Sequence, residues 1–131
     1  MQFQVKTGDR SEMIDITHEI QQTVSKSGVK EGICFVFVPH TTAAVTINEN
    51  ADPDVRKDLK TILDRIIPWE NGYRHMEGNS AAHMKTTLVG SSEMIAIENT
   101  KLVLGTWQSV FFCEFDGPRT RNVIVKIMEA K

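Results

Sequence analysis

The sequence predicts an α+β fold whose strands pair mainly antiparallel and which carries two to three helices. Apolar and polar side chains alternate near the N-terminus and again along the C-terminal third, as they do in half-buried strands. Between these regions, apolar residues recur with the spacing of amphipathic helices. Because strands come in groups rather than alternating one by one with helices, antiparallel pairing is favoured over βαβ units. The chain of 131 residues is expected to form one domain, residues 1–131.

Composition narrows the classes of function. Hydrophobic residues make up 40% and charged residues 24%, as in ordinary globular proteins. A net charge of -2 offers no basic surface for nucleic acid or an anionic membrane. The N-terminus lacks the apolar core of a signal peptide, and no apolar run approaches the roughly 20 residues of a transmembrane helix. We therefore expect a cytoplasmic protein with neither a nucleic-acid nor a membrane partner.

The N-terminal third contains strong boundary signals. FQVKT alternates as a strand does, and Asp15 or Thr17 can cap a first helix that Gly28 ends. Residues 33–38 are apolar on both faces, which is typical of a strand in the middle of a sheet or under an interface. Residues 43–47, rich in β-branched side chains, predict the next strand.

The middle of the chain predicts two helices around a loop. Asp52 followed by Pro53 is a strong helix start, and an apolar stripe runs from there towards Pro68. Residues 69–78 are polar and glycine-containing, as in a surface loop. Asn79 can then cap a shorter third helix.

Strands dominate the C-terminal part, and turns at Asn99-Thr100 and Asp116-Gly117 separate them. Residues 107–115 are apolar on both faces. Since a domain of this size rarely covers both faces of such a strand, we expect part of it to be buried between subunits. The predicted strands are 94–97, 101–104, 107–115 and 123–128.

Three histidines are the main candidates for catalysis. His40 follows a central strand, a place where a rigid sheet can present a side chain to a cleft. Asn79 and His83 lie one helical turn apart, and His75 is on the loop before them. We expect the three histidines to approach one another with Asn79 close by, where they could bind zinc with an open position. Their spacing matches no established zinc motif, and three separate surface histidines are the alternative.

An acidic and amide cluster follows the second strand. Oxygen ligands from Glu49 and Asp52 would suit magnesium, and Asn48 is a candidate substrate contact. The structural alternatives are a helix cap for Asp52 and a turn for Asn48.

Lys85, Arg119 and Arg121 are candidate contacts for phosphate. Two arginines two positions apart on a strand point to the same face, and guanidinium groups match phosphate geometry. In the alternative interpretation, Asp116 pairs locally with Arg119 in a tight hairpin.

Four longer stretches occur in this order along the chain: PHTTAAVTINENADPDV, HMEGNSAAHMK, LGTWQ and EFDGPRTR. Together they resemble the YjbQ-like family, and the resemblance covers essentially the whole chain. It implies a two-layer β-sandwich, usually assembled as a homotrimer, and a secondary thiamine-phosphate synthase activity. That reaction joins a pyrimidine diphosphate to a thiazole phosphate and releases pyrophosphate.

The implied reaction needs a diphosphate stabilised as it leaves, usually by a divalent cation and by basic side chains. Magnesium at Glu49 and Asp52 could supply that cation, Lys85 and Arg119 could meet the phosphate, and zinc held by the histidines would favour hydrolysis instead. Two other functions stay open: a metal-dependent hydrolase that uses the histidines, and a non-catalytic trimer that binds a phosphorylated metabolite.

Overall fold

Two antiparallel sheets and three helices make up the computed structural model, which describes residues 1–131. The larger sheet has the strand order β1-β8-β3-β5-β6, and the smaller sheet has the order β2-β7-β4. The α+β class with antiparallel strands is therefore confirmed. The elements are β1 Gln2–Lys6, β2 Glu12–Asp15, α1 Thr17–Ser27, β3 Gly32–Phe37, β4 Ala43–Glu49, α2 Pro53–Ile66, α3 Ser80–Val89, β5 Ser92–Glu98, β6 Lys101–Leu102, β7 Gln108–Glu114 and β8 Thr120–Glu129.

The main core lies between the two sheets and is closed at one side by α1. Val36 of β3 and Val123 of β8 come from the larger sheet, and Phe112 of β7 comes from the smaller one. Ile20 and Val24 project from α1 into the same cluster and are fully buried. Since each strand alternates its side chains between two faces, one face of each sheet is committed to this core.

The position of β3 confirms the prediction of a central strand. It pairs with β8 on one side and with β5 on the other. Cys34 and Val36 point into the core, and burial raises the pKa of the Cys34 thiol to about 11. Ile33 and Phe35 project from the opposite face of the larger sheet, where Ile33 is 41% exposed.

The central strand of the smaller sheet, β7, is covered on both faces by its own chain. Val110 and Phe112 face the main core, and Cys113 and Phe115 join a second small cluster that packs against α3. The premise that residues 107–115 need a neighbouring subunit for burial is therefore wrong. Two layers of the same chain already enclose this strand, and the exposed apolar sheet face belongs to the larger sheet instead.

Most helix boundaries follow the expected caps. Asp52 accepts a hydrogen bond from the Asp54 amide at the start of α2, and Gly28 ends α1 in the left-handed conformation. Asp15 accepts from the Thr17 amide as α1 begins.

The sequence did not predict β2, whose last residue is Asp15, since this short segment lacks a strand pattern. No helix is both long and apolar enough to cross a membrane.

The connection between β7 and β8 is pressed against the turn between β1 and β2. The Gly117 amide donates to the Arg10 carbonyl at 3.0 Å. A Cβ at Gly117 would lie only 2.2 Å from the Asp9 carbonyl oxygen, so no other residue fits there without movement of the backbone. Because β7 and β8 belong to different sheets, this connection is not the tight hairpin that the sequence suggested. The contact fixes the turn that precedes Arg119 and Arg121.

Candidate functional site

His40 and His83 line one pocket of about 390 Å³ at the end of β3. His40 follows the last strand residues of β3, and α3 presents His83 together with Thr86, one turn further along the helix. None of the lining residues is hydrophobic, and none is acidic. Besides the two histidines they are Thr41, Thr86, Thr87, Gly90 and Ser91.

His75 extends this site along the surface. Its ring meets that of His83 edge-on, with 5.4 Å between the ring centroids. His75 lies on the exposed loop before α3, and its Nε2 is 3.9 Å from a Glu77 carboxylate oxygen. His83 thus contacts His75 and shares a pocket with His40. Nevertheless, no group of three His, Cys, Asp or Glu residues is placed to hold a metal ion within one chain. The zinc set expected from the three histidines does not assemble there.

The hydrogen bonding of His40 defines its tautomer. The Asn122 amide donates to His40 Nε2 at 2.9 Å, so that nitrogen carries no proton and Nδ1 is the donor. Burial lowers the pKa of His40, and the positive charge of Arg121 lowers it further against the opposing effect of Glu114. The imidazole is therefore neutral at pH 7 and offers one N–H group.

Two buried polar atoms near the histidines lack hydrogen-bond partners, Asn79 Oδ1 and Thr86 Oγ1. Asn79 occupies the cap position of α3, but its side chain makes no capping bond. Its amide donates instead to Asp116 at 2.9 Å, and Asp116 also accepts from Arg119 at 3.0 Å. The sequence analysis gave this local pairing of Asp116 with Arg119 as the alternative to a phosphate contact. The Arg119 side chain is 52% exposed while it is paired.

Arg121 is not free to meet a phosphate within one chain. It is 4% exposed and forms a buried ion pair with Glu114, and its guanidinium also donates to Thr42 Oγ1 at 2.9 Å. Burial alone would raise the pKa of Glu114, but hydrogen bonds from Arg121, the Asp116 amide and Thr7 hold it below its ordinary value. Arg119 and Arg121 therefore have different surroundings, one exposed and one enclosed.

Lys85 and Asn48 lie away from the histidines. Lys85 projects from a different face of α3 than His83, is buried, and contacts Asp64 of α2 at 2.5 Å. Both Lys85 and Asn48 line a separate cleft beneath α2.

Glu49 and Asp52 lie near the far end of β4. The strand advances about 3.3 Å per residue, which puts its two ends roughly 20 Å apart. His40 precedes this strand and Glu49 ends it. Asp52 is engaged as the cap of α2. The acidic residues and the histidines thus form two sites within one chain, and the acidic set brings no third ligand for magnesium.

Sequence reasoning missed Thr86 and Asp116 as parts of the site. Thr86 could have been found from its position three residues after His83, which places both on one helical face. Asp116 could not, because its contact with Asn79 joins residues that are distant in the chain.

The arrangement is that of a two-sheet α+β domain with a polar, histidine-lined pocket at the end of a central strand. The model of the family described as UPF0047 protein YjbQ-like matches residues 1–130. The chain belongs to this family.

Relatives confirm the assignment over nearly the full length. UPF0047 protein YugU of Bacillus subtilis is 54% identical over 127 residues, which is 96% of each chain. A UPF0047 protein of Methanocaldococcus jannaschii is 52% identical over 98% of this chain and 94% of its own. The crystal structure of a YjbQ/UPF0047 family protein from Clostridium acetobutylicum matches with a TM-score of 0.96 and 53% identity, covering 98% of this chain and 99% of that one.

The tautomer and pKa of His40 can be measured directly. We expect long-range ¹H–¹⁵N spectra to show a protonated Nδ1, with a midpoint below the ordinary histidine value of about 6.5. Because the pKa of His40 is lower in the folded chain than in the unfolded one, protonation of His40 opposes folding. Its contribution to stability is complete above the unfolded value of about 6.5 and is lost as the pH falls through the folded pKa. The His40 resonances are assigned by their absence from the spectrum of the His40→Gln variant. A protonated Nε2, or a midpoint above the ordinary value, would contradict this geometry.

Replacement of Arg121 should be far more damaging than replacement of Arg119. Arg121→Met leaves the Glu114 carboxylate buried without its cation, which costs roughly 3–5 kcal/mol of unfolding free energy. The matched control Arg119→Met removes an exposed pair and should cost about 1 kcal/mol or less. Urea denaturation of the two variants measures the difference. If the two variants lose the same unfolding free energy, the Glu114–Arg121 pair does not stabilise the fold.

Proposed function

We propose that the histidine pocket binds a small phosphorylated metabolite. The observation that carries this proposal is a wholly polar pocket in which the buried hydroxyl of Thr86 has no partner. A buried polar group without a hydrogen bond costs about 1–3 kcal/mol, and a ligand oxygen would remove that cost. His83 and Thr86 approach such a ligand from α3, and His40 approaches it from the end of β3.

The chemistry of the lining favours an anion. The neutral His40 offers Nδ1–H, and the hydroxyls of Thr41, Thr86, Thr87 and Ser91 can each donate to a phosphate oxygen. No carboxylate lines the pocket to repel negative charge. Arg119 supplies an exposed guanidinium on the neighbouring β7–β8 connection, held by Asp116.

For the reaction, we propose transfer of the thiamine-phosphate synthase type, in which a pyrimidine diphosphate and a thiazole phosphate are joined and pyrophosphate leaves. Two features support it. An imidazole can move a proton near pH 7, a role that falls to His83 because the Asn122 amide occupies the basic nitrogen of His40, and a nearby guanidinium can stabilise a leaving diphosphate. We assign no step to a resident cation, because one chain does not gather three ligands for it. Binding without turnover is the competing function, and the lack of a complete ligand set gives metal-dependent hydrolysis less support.

Activity should depend on the pocket histidines. We expect purified protein to form thiamine phosphate and pyrophosphate from the two precursors in the presence of magnesium. His83→Gln should lower the rate about 100-fold or more, as loss of a general acid or base does. His40→Gln removes a hydrogen-bond donor to the phosphate and should lower it about tenfold. The matched control is His18→Gln, since His18 lies on α1 outside this pocket. Absence of product, together with measured binding of either precursor, would leave a binding protein rather than a transferase.

Thr86→Val separates binding from stability. Valine has nearly the shape of threonine without the hydroxyl, so removal of an unpartnered buried group should leave the melting temperature unchanged or raise it. The same change should weaken binding of the thiazole phosphate several-fold by calorimetry. If binding is unaffected, Thr86 does not contact the ligand and the proposed site loses its main support.

We also propose that the chain assembles as a homotrimer through the outer face of the larger sheet. Ile33, Met94 and Met128 are 41%, 65% and 51% exposed on this face. Phe35 and Phe37 stack beside them with ring centroids 6.5 Å apart. Contiguous apolar patches of this kind usually mark interfaces. The number of subunits rests on the family resemblance.

Light scattering tests this assembly. We expect a mass three times the 14.8 kDa of the chain. Met94→Lys should dissociate the assembly, because a charge would be buried in an apolar contact. Ile66→Lys is the matched control, since Ile66 is 60% exposed on α2, away from the sheet face. A monomeric wild-type protein at micromolar concentration, or a Met94→Lys variant that stays assembled, would contradict the proposal.

A further inference from the structure

Helix α2 stands off from the sheet beneath it. The helix carries an apolar stripe, yet none of its residues is buried. Between α2 and the smaller sheet lies a cavity of about 510 Å³, which we call the α2 cleft. Leu59, Ile62 and Leu63 of α2 form one wall, and Cys113 of β7 forms part of the other together with Phe115, which follows the strand. Leu63 packs against the small cluster that contains Cys113 and Phe115, whereas Leu59 and Ile62 line the open space of the cleft.

The cleft also contains a cation that the chain leaves without a partner. Arg56 lines the cleft, and its Nε is buried with no hydrogen bond. Its guanidinium lies 5.4 Å from the centre of the Phe111 ring, and no carboxylate pairs with it. Lys60 lines the same cleft and likewise forms no ion pair.

The acidic residues around the cleft are largely engaged elsewhere. Asp64 pairs with the buried Lys85. Glu12 accepts hydrogen bonds from the amides of Gly8 and Asp9. Asp9 also lines the cleft and forms no ion pair, so four basic side chains of the lining stand against three acidic ones. The positive charge exceeds the negative by one, beside an apolar wall.

We propose that the α2 cleft binds a small amphipathic anion, with its carboxylate or phosphate head at Arg56 and its apolar body between α2 and β7. The volume falls in the range of small-molecule sites, which combine apolar walls with a few placed polar groups. A charged hydrogen bond to the head would satisfy the buried Arg56 Nε, and the tail would cover the exposed stripe of α2.

This site is separate from the histidine pocket. The two share no lining residue, because α3 stands between them. Lys85 and Val89 of α3 face the cleft, whereas His83 and Thr86 face the pocket. The two proposals can therefore fail independently.

Titration of the ¹⁵N-labelled full chain with octanoate, octyl phosphate and octanol tests the site. Octanoate or octyl phosphate should give saturable shifts at the amides of Leu63 and Cys113 and none at His83. Whichever of the two compounds binds with the lower Kd identifies the preferred head group, carboxylate or phosphate. Octanol, which has the same tail without charge, should bind about tenfold more weakly or worse.

Arg56→Gln should weaken binding of the anion about tenfold or more, because a charged hydrogen bond is lost. The matched control is Arg65→Gln, on the same helix but outside the cleft lining, which should leave binding unchanged. Lys60→Gln provides a second test should Arg56→Gln fail to fold. The proposal is overturned if neither anion gives saturable shifts, if octanol binds as well as octanoate, or if Arg56→Gln and Arg65→Gln behave alike.

Discussion

The buried ion pair between Glu114 and Arg121 joins the two sheets at the end where the histidine pocket lies. Glu114 ends β7 of the smaller sheet, and Arg121 belongs to β8 of the larger one. Thr7 and Thr42 complete the hydrogen bonds of the pair. Because the next residue, Asn122, donates its amide to His40, the same pair also positions the imidazole. The Glu114–Arg121 pair lies outside the proposed ligand site. Through the neighbouring Asn122 it nevertheless orients His40, which we propose contacts the ligand.

Much of the fold could be predicted because local signals agreed with one another. The Asp52 cap, the glycine after α1 and the two-faced apolar strand β3 depend on neighbouring residues, and all three were confirmed. The burial of β7 was misassigned, since the sequence does not reveal that two layers of the same chain enclose it.

The site was harder to predict because its key contacts join distant residues. Strand ends and helical spacing predicted that His40 and His83 would converge, and they line one pocket. Arginine and lysine are ordinarily exposed, so nothing local indicated that Arg121 and Lys85 would be buried in ion pairs. Phosphate contact was therefore expected from three basic residues, of which only Arg119 lies exposed beside the histidines.

The clamped connection between β7 and β8 makes the chain unequally tolerant of changes in length. One residue inserted between Asp116 and Arg119 would shift β8 by one position, and a shift of one residue turns every side chain of a strand to the opposite face. Arg121 would then leave Glu114, and a residue other than glycine could be forced into the close contact with the Asp9 carbonyl. The exposed segment around Gly72 has no such constraint, and doubling the length of a flexible loop costs only about 0.6 kcal/mol. Insertions and deletions in this fold are therefore better tolerated in the loop before α3 than in the β7–β8 connection that orients its polar site.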